Sequence, residues 1–341
     1  MQFYQCLGDE MIRKQLIFPL IQEICNEENI SFIQEPTRGM YGLLLFENGN
    51  HFFIKDVNFN INYVSSMRVT KNKALTSFFL QRFGFSVPDF TMIYSDEICK
   101  KFKSKDTVEK GIKFSHKVGY PVILKPNDSL QGRNIYKVYN DLDFVKTVDI
   151  LFQSTDTIQV QPYYNYKDYR IVTLGREIIS AYERIPLRVT GDGVSSVRQL
   201  LVQKQNEFID NGRDTVIEIE SKSTFDCLNR LKINLDTIIE KGSTITLRDV
   251  SNLSAGGECA DVMETIHDDY KKLCISVASN LKLNLSGIDI MCPDISEKVS
   301  DYVILEVNSA PGLDNYLYKG EKQLLYTKEL YRKVILYLKN L

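Results

Sequence analysis

Residues 286 to 291, Ser-Gly-Ile-Asp-Ile-Met, set one carboxylate inside an apolar strand, with Asp289 between Ile288 and Ile290. A second strand-like run, Val303-Ile-Leu-Glu-Val307, carries Glu306, and Asn308 follows two residues later. Side chains two apart on a strand point to one face, so Glu306 and Asn308 share a side. Three oxygen-bearing side chains on neighbouring strands are expensive to bury unless something cationic pairs with them. A small set of hard oxygen ligands, with room for water and phosphate, suits Mg²⁺. The plainer alternative is an edge-strand carboxylate followed by a turn asparagine, because Ser309-Ala-Pro-Gly312 has turn composition.

A lysine poses the matching question. In PVILKPNDSLQGRNIYKV, residues 121 to 138, the apolar run Val122-Ile123-Leu124 leads directly into Lys125. A polar loop with one glycine, Gly132, follows, and then a second strand-like run from Ile135 to Val138. Taken alone, Lys125 reads as a surface charge on a buried stem. The loop Asn127 to Asn134, which includes Ser129, offers backbone N–H groups, a hydroxyl and an arginine that can cover phosphates while the lysine neutralises them. Combined with the Asp289, Glu306 and Asn308 set, this becomes a clamp for a nucleoside triphosphate. Ile158-Gln-Val-Gln-Pro162 is a strand running into a Pro-fixed segment whose backbone can meet a base edge, and Asp168 follows. From spacing alone Gln161 and Asp168 read as ordinary turn residues.

At 341 residues the chain has room for two or three packed units. A net charge of -2 provides no field that would recruit nucleic acid or an acidic membrane. No window approaches the roughly 18 consecutive apolar residues of a membrane span. The N-terminus, with Asp9 and Glu10, lacks the pattern of a secretion signal. Seven cysteines without a CxxC pair read as reduced thiols, and the expected location is cytoplasmic. Three scattered histidines leave a His-based zinc site or a Ser-His-Asp triad little to stand on.

Apolar spacing predicts helices over Met11–Cys25, Lys71–Phe83 (closed by Gly84), Val108–Val118, Asp141–Phe152, Val197–Phe208, Asp268–Leu281 and Lys322–Leu338. Strands are expected at Tyr41–Phe46, His51–Ile54, Val122–Lys125, Ile135–Val138, Thr157–Val160, Arg170–Leu174, Glu177–Glu183, Thr244–Leu247, Ser286–Met291 and Val303–Val307. Asn252 to Gly257 reads as a loop. The class is α+β.

These residues, in this order, resemble the ATP-grasp superfamily of carboxylate–amine ligases. The branch they look most like is the ATP-grasp region of cyanophycin synthetase and of bifunctional glutathione synthetases. The motifs are KNKALTSFFLQRFGFSVP, YPVILKP with its loop, DYRIVTLGREIISAYERIPLRVTGDGVSSVRQLL, LRDVSNLSAGGECADV, LSGIDIMCPDI and LEVNSAPG, spread over residues 70 to 315. VTGDG and NLSAGG narrow the branch, and Tyr318-Lys-Gly320 looks more like the glutathione-forming relatives.

The resemblance implies an ATP-grasp fold of two α+β lobes clasping ATP: an N-terminal α/β domain over 1–95, a small lobe over 96–164 and a large lobe over 165–341. It implies that Lys73 and Lys125 hold the ATP phosphates under a mobile loop, 127–134, with Ser129 and Gly132. Gln161, Pro162 and Tyr163 become the adenine hinge, and Asp168 the ribose contact. Asp289, Glu306 and Asn308 hold two Mg²⁺ ions, with Mn²⁺ as the substitute. Arg184 faces the transferred phosphoryl, and Asn252 with the Ser254–Gly257 turn lines the acceptor side. The expected reaction is ATP-dependent amide formation through an acyl phosphate, on amino acids or short peptides. Two alternatives are modification of a precursor peptide or carrier protein, with residues 1–95 as recognition module, and a non-catalytic nucleotide-binding protein. A homo-oligomer is compatible with all three. The loop has fewer glycines than its relatives, the hinge carries Gln161 where many carry Glu, and the second domains of both named relatives have no counterpart in these residues.

Overall fold

The computed structural model of the chain describes residues 17–37, 39–127, 134–211, 213, 215–313 and 321–341. Among these, the strands assemble into sheets whose neighbours all run antiparallel. The α+β class read from the sequence holds.

The N-terminal unit begins with a helix over residues 17–27 (α1). A three-stranded sheet follows: β1 (Ser31–Gln34), β2 (Tyr41–Leu45) and β3 (His51–Lys55). Its inner face and α1 bury Ile21, Ile24, Leu44 and Ile54 against the terminal helix α10 (Glu321–Lys339), which supplies Leu330, Tyr331, Val334 and Leu338. The first and last segments of the chain therefore share one core. Ion pairs from Lys328 to Glu23 and Glu27, and from Arg332 to Glu27 and Glu28, edge that contact.

The helix expected over Lys71–Phe83 is two helices, α2 (Val64–Lys71) and α3 (Lys73–Arg82). Asn72 breaks them. Its backbone is extended, and its side chain accepts from the Leu75 N–H at 3.0 Å as an N-cap. The break puts Lys73 at the head of α3 rather than mid-helix.

A four-stranded sheet of order β4-β7-β5-β6 follows, built from β4 (Thr91–Tyr94), β5 (Val122–Pro126), β6 (Tyr136–Val138) and β7 (Thr157–Pro162). A short helix, α4 (Asp96–Phe102), lies after β4, while α5 (Val108–Val118) and α6 (Asp141–Leu151) cover one face. That face carries Val122, Leu124, Val138, Ile158 and Val160. By strand alternation the other face carries Ile123, Lys125, Lys137, Gln159 and Gln161. Lys125 is only 5% exposed, so it is not the surface charge its position first suggests.

The largest sheet has the order β12-β9-β8-β13-β14, from β8 (Lys167–Leu174), β9 (Glu177–Ile185), β12 (Glu258–Asp261), β13 (Leu285–Cys292) and β14 (Val303–Asn308). One face packs Tyr169, Ile171, Ala181, Ile288, Ile290 and Val307 on α9 (Asp268–Asn280). The opposite face changes along its length. Val172, Leu174, Ile179 and Leu285 lie under the N-terminal unit, and the other end is polar. Between β9 and β12 the chain leaves to form a small unit of β10 (Arg188–Thr190), α7 (Val197–Asp210), α8 (Lys222–Arg230) and β11 (Thr244–Thr246), with its own core around Leu187, Leu201, Leu228 and Leu247. Strands β1, β4 and β12 and helices α4 and α8 went unseen in the sequence, because each is short and its burial is set by neighbours rather than by its own period.

Asn62 fastens the N-terminal unit to the large sheet. Its amide nitrogen donates to the carbonyls of Leu285 and Ser309, both at 2.7 Å. Its oxygen accepts from the N–H of Asn284 at 2.7 Å and of Leu285 at 3.1 Å. All four hydrogen-bonding positions of a buried amide are filled. Asn62→Ala is expected to cost about 3 kcal/mol in a urea titration, since it strands two buried carbonyls and two N–H groups. A loss below about 0.5 kcal/mol would show that water takes over this role.

Candidate active site

The polar end of the large sheet is organised by register. Tyr182, Arg170, Asp289 and Glu306 stand directly opposite one another across four adjacent strands, β9, β8, β13 and β14. Arg184 and Asp168 form the next row. Side chains opposite each other on antiparallel strands share a face, so one pleated surface gathers all of these groups.

Asp289 is held from two sides. Arg170 Nε donates to its Oδ1, and Arg170 Nη2 reaches Oδ2 at 3.0 Å. Arg184 Nη2 approaches Oδ2 from the diagonal position, also at 3.0 Å. Burial alone would raise the Asp289 carboxyl, but the two guanidiniums outweigh it and hold its pKa below the ordinary carboxylate range. Gly287 makes this geometry possible. A Cβ there would stand 2.9 Å from Pro311 Cβ and 3.1 Å from Arg170 Nη1, so the arginine lies across β13 only because position 287 has no side chain.

Arg184 also donates to Asp168 Oδ1, from Nε at 3.2 Å and Nη2 at 2.7 Å. The Ser251 hydroxyl donates to the other oxygen of Asp168. The Asn308 amide, with its oxygen turned to the arginine as its neighbours require, accepts from Arg170 Nη2 at 3.2 Å and donates to Glu306 Oε1 at 3.0 Å. Lys73, brought in by the head of α3, lies 3.9 Å from Glu306 Oε2. The same helix start receives the loop after β5: the Ala74 N–H donates to Asn127 Oδ1 at 3.2 Å.

Lys125 faces this surface from the smaller sheet. Burial pulls its pKa from 10.5 down to about 8; Glu306 and Asp289 oppose the shift, and Lys73 adds to it. Among the described residues, four cationic side chains (Lys73, Lys125, Arg170, Arg184) thus face three carboxylates (Asp168, Asp289, Glu306). A region with excess positive charge and a buried lysine is suited to a polyanion.

The turn 252–257 borders the same surface. The Asn252 carbonyl accepts from the N–H groups of Ala255 and Gly257, both at 3.0 Å. Arg213 donates to the carbonyls of Leu253 and Gly257. A Cβ on Gly257 would meet the carbonyls of Asn252, Ile185 and Ser251 within 2.9 Å, so this turn closes only around glycine.

The structure therefore brings together Lys73, Lys125, Asp168, Arg184, Asp289, Glu306 and Asn308, with Asn252 one residue beyond Ser251. Gln161 lies on the same face of its sheet as Lys125, 4% exposed, and Pro162 ends that strand. The Tyr163 N–H donates to the Pro121 carbonyl at 3.2 Å. Ser129 and Gly132, and Tyr318 to Gly320, lie outside the described residues, as does the side chain of Ser254. Arg170 and Ser251 are the groups that sequence reasoning missed. Arg170 had a signal, being two residues from Asp168 in an apolar strand and hence on its face; Ser251, in a loop, had none.

Among the described residues no three or more His, Cys, Asp and Glu side chains form a metal-holding group. The expected set is two carboxylates and an amide, all oxygen donors of the kind a hard cation takes. Glu306 is 29% exposed, whereas Asp289 is 7% exposed with both oxygens already on guanidiniums. The set fits Mg²⁺, most openly through Glu306 and Asn308.

Comparison with known proteins bears on the fold and family. Residues 244–323 match the RimK-like ATP-grasp domain. The chain carries an ATP-grasp domain. It is similar to cyanophycin synthetase of Geminocystis herdmanii, 32% identical over 239 residues, which is 67% of this chain and 26% of that protein. It is also similar to the glutathione biosynthesis bifunctional protein of Mannheimia succiniciproducens, 26% identical over 340 residues, covering 93% of this chain and 41% of that one. The crystal structure of a bifunctional glutathione synthetase from Pasteurella multocida superposes with a TM-score of 0.60 at 22% identity, over 94% of this chain and 44% of that chain. The fold is that of ATP-grasp proteins. The chain spans less than half the length of these relatives. No helix among the described residues is long and apolar enough to cross a membrane.

The shift on Lys125 has a measurable consequence. Its folded pKa lies below the unfolded value, so between about 8 and 10.5 the unfolded chain binds the extra proton, and this group makes stability rise with pH. Below pH 8 both states are charged, and the buried ammonium costs on the order of 3 kcal/mol. Lys125→Met is expected to be the more stable protein at pH 7, with an advantage that shrinks at pH 9.5, in paired urea titrations. A variant less stable than the parent at pH 7 would mean that Glu306 and Asp289 compensate the charge in full.

Proposed function

We propose that the chain is an ATP-dependent carbon–nitrogen ligase that activates a carboxylate as an acyl phosphate and joins it to an amine. The substrates in this reading are amino acids or short peptides. The observation that carries it is the meeting of Lys125 from one sheet and Lys73 from the head of α3 with Arg170, Arg184 and the Asp289–Glu306–Asn308 set of the larger sheet. The relatives, a cyanophycin synthetase and a glutathione biosynthesis bifunctional protein, support the same class.

Hydroxide is a poor leaving group, so a carboxylate does not condense with an amine in water. Transfer of the γ-phosphoryl group breaks its bond to ADP and forms one to the carboxylate oxygen. The amine then attacks the acyl carbon, phosphate departs, and the nitrogen loses a proton. Lys73 and Lys125 neutralise the phosphates, and Arg184, fixed by Asp168 and Asp289, presents a guanidinium to the moving phosphoryl. Holding these groups by hydrogen bonds before the substrate arrives removes reorganisation from the reaction step. Asp289, Glu306 and Asn308 would hold Mg²⁺, or Mn²⁺ in its place, which supplies charge neutralisation on phosphate oxygens. Asn252 and the turn to Gly257 border the acceptor side. Gln161 to Tyr163 form the hinge against the base.

The test is phosphate release from Mg-ATP across paired amino acids, with mass spectrometry for a product lighter by one water. Turnover in Lys125→Met and Glu306→Gln is expected to fall by about 10²-fold or more. Full turnover in either variant, or nucleotide binding without turnover on any carboxylate, would sink the assignment.

A further inference from the structure

Helix α8 belongs to the small unit inserted in the large lobe, where Thr224, Cys227 and Leu228 are buried. Its outer residues reach the other lobe. The Arg230 guanidinium lies 4.9 Å from the centre of the Tyr139 ring, just past β6, and Lys222 Nζ lies 5.8 Å from the Tyr136 ring. Arg230 is oriented by Asp249, to whose two oxygens it donates at 2.7 Å each, and by Cys227 Sγ at 3.0 Å. Lys137 Nζ lies 5.4 Å from the Tyr139 ring and 3.3 Å from the ring of Tyr163. Asp249, Arg230, Tyr139, Lys137 and Tyr163 therefore form a ladder in which charges alternate with rings. It starts in the large lobe and ends on the hinge residue of the small lobe. Nothing in the catalytic reading uses it.

We infer that Arg230 is a positioning residue for the nucleotide: through Tyr139 and Lys137 it sets the hinge at Tyr163 from the opposite lobe. A cation over a ring is held by the quadrupole of the π system, and the attraction grows as water is excluded. Lys137 is half-buried between two such rings, so its place depends on both. β6 is an edge strand, and Lys222 and Arg230 of α8 reach the rings of Tyr136 and Tyr139 at its end. This inference rests on the reading of residues 161–163 as a nucleotide hinge, and the test separates the two.

The first arm needs no nucleotide. Backbone hydrogen exchange at residues 136–139 is followed in the full chain and in Arg230→Met, Tyr139→Leu and Tyr139→Phe. Exchange is expected to quicken in the first two and stay near the parent rate in the third, which keeps the ring. The second arm is calorimetry with the non-hydrolysable analogue AMPPNP and Mg²⁺. Arg230→Met and Tyr139→Leu should each weaken binding roughly two- to thirtyfold. The double variant should be no weaker than either single one, because both remove the same contact. Additive losses, or a Tyr139→Phe variant as poor as Tyr139→Leu, would overturn the inference. Unchanged exchange at 136–139 would also overturn it. A parent chain that does not bind AMPPNP would refute the nucleotide reading and, with it, the role given to Arg230, while the exchange arm still decides whether the ladder holds the lobes. If Arg230→Met fails to fold, Lys137→Met carries the same comparison from the middle of the ladder.

Discussion

The bidentate grip of Arg170 on Asp289, shared with Arg184, is the contact from which the rest of the large sheet takes its form. A carboxylate and two guanidiniums lie almost out of water there. Each ion loses several kcal/mol of hydration on burial, and only close, well-aligned pairing recovers it. The recovery fixes the strand order, because Arg170, Asp289 and Glu306 meet only if β8, β13 and β14 are adjacent and in this register. It fixes Gly287, since any side chain there would occupy the space of the guanidinium. The other face of the same strands is mostly apolar: Ile171, Ile288, Ile290 and Val307 supply burial there, and the two buried hydroxyls on it, Thr173 and Ser286, bond to each other at 2.7 Å.

Stability and chemistry pull apart at Lys125. An apolar residue of similar length would be better in that place for folding, and the chain keeps an ammonium whose pKa is driven down to about 8. Such a cost persists where a site must be ready for a charge that is not always present. Lys73, at the head of α3, and Lys125, on β5, repel each other. In the proposed reaction a triphosphate between them would convert that repulsion into attraction.

Much of this was legible in the amino-acid order, for physical reasons that can be named. Asp289 stood out because a carboxylate inside Ile-Asp-Ile demands a partner. Glu306 and Asn308 followed from the two-residue period of a strand, and α5, ending at Val118 before Gly119, followed from periodicity and a helix stop. What stayed hidden was whatever depends on register between distant strands. Arg170 is 119 residues from Asp289, and nothing local says that they meet. Asn72 was read through as helix because its neighbours are good helix formers, whereas its extended backbone and capping side chain place Lys73. The ladder from Asp249 to Tyr163 was equally invisible, since its five members come from four separate stretches of chain.

These two features complement each other. The candidate site carries four cationic side chains to three carboxylates, a surface that an anion would complete. The proposed ladder lies at the rim of the same cleft and holds the edge strand β6 to α8 by contacts whose strength does not depend on nucleotide. The first anion to enter then meets lysines already near their working distance, and the ordering entropy of closure is partly met beforehand. On this view the inserted unit of β10, α7, α8 and β11 is more than a decoration of the large lobe. Its core around Leu228 gives Arg230 a rigid base, and a rigid base is what lets a single guanidinium set the position of a hinge in another lobe.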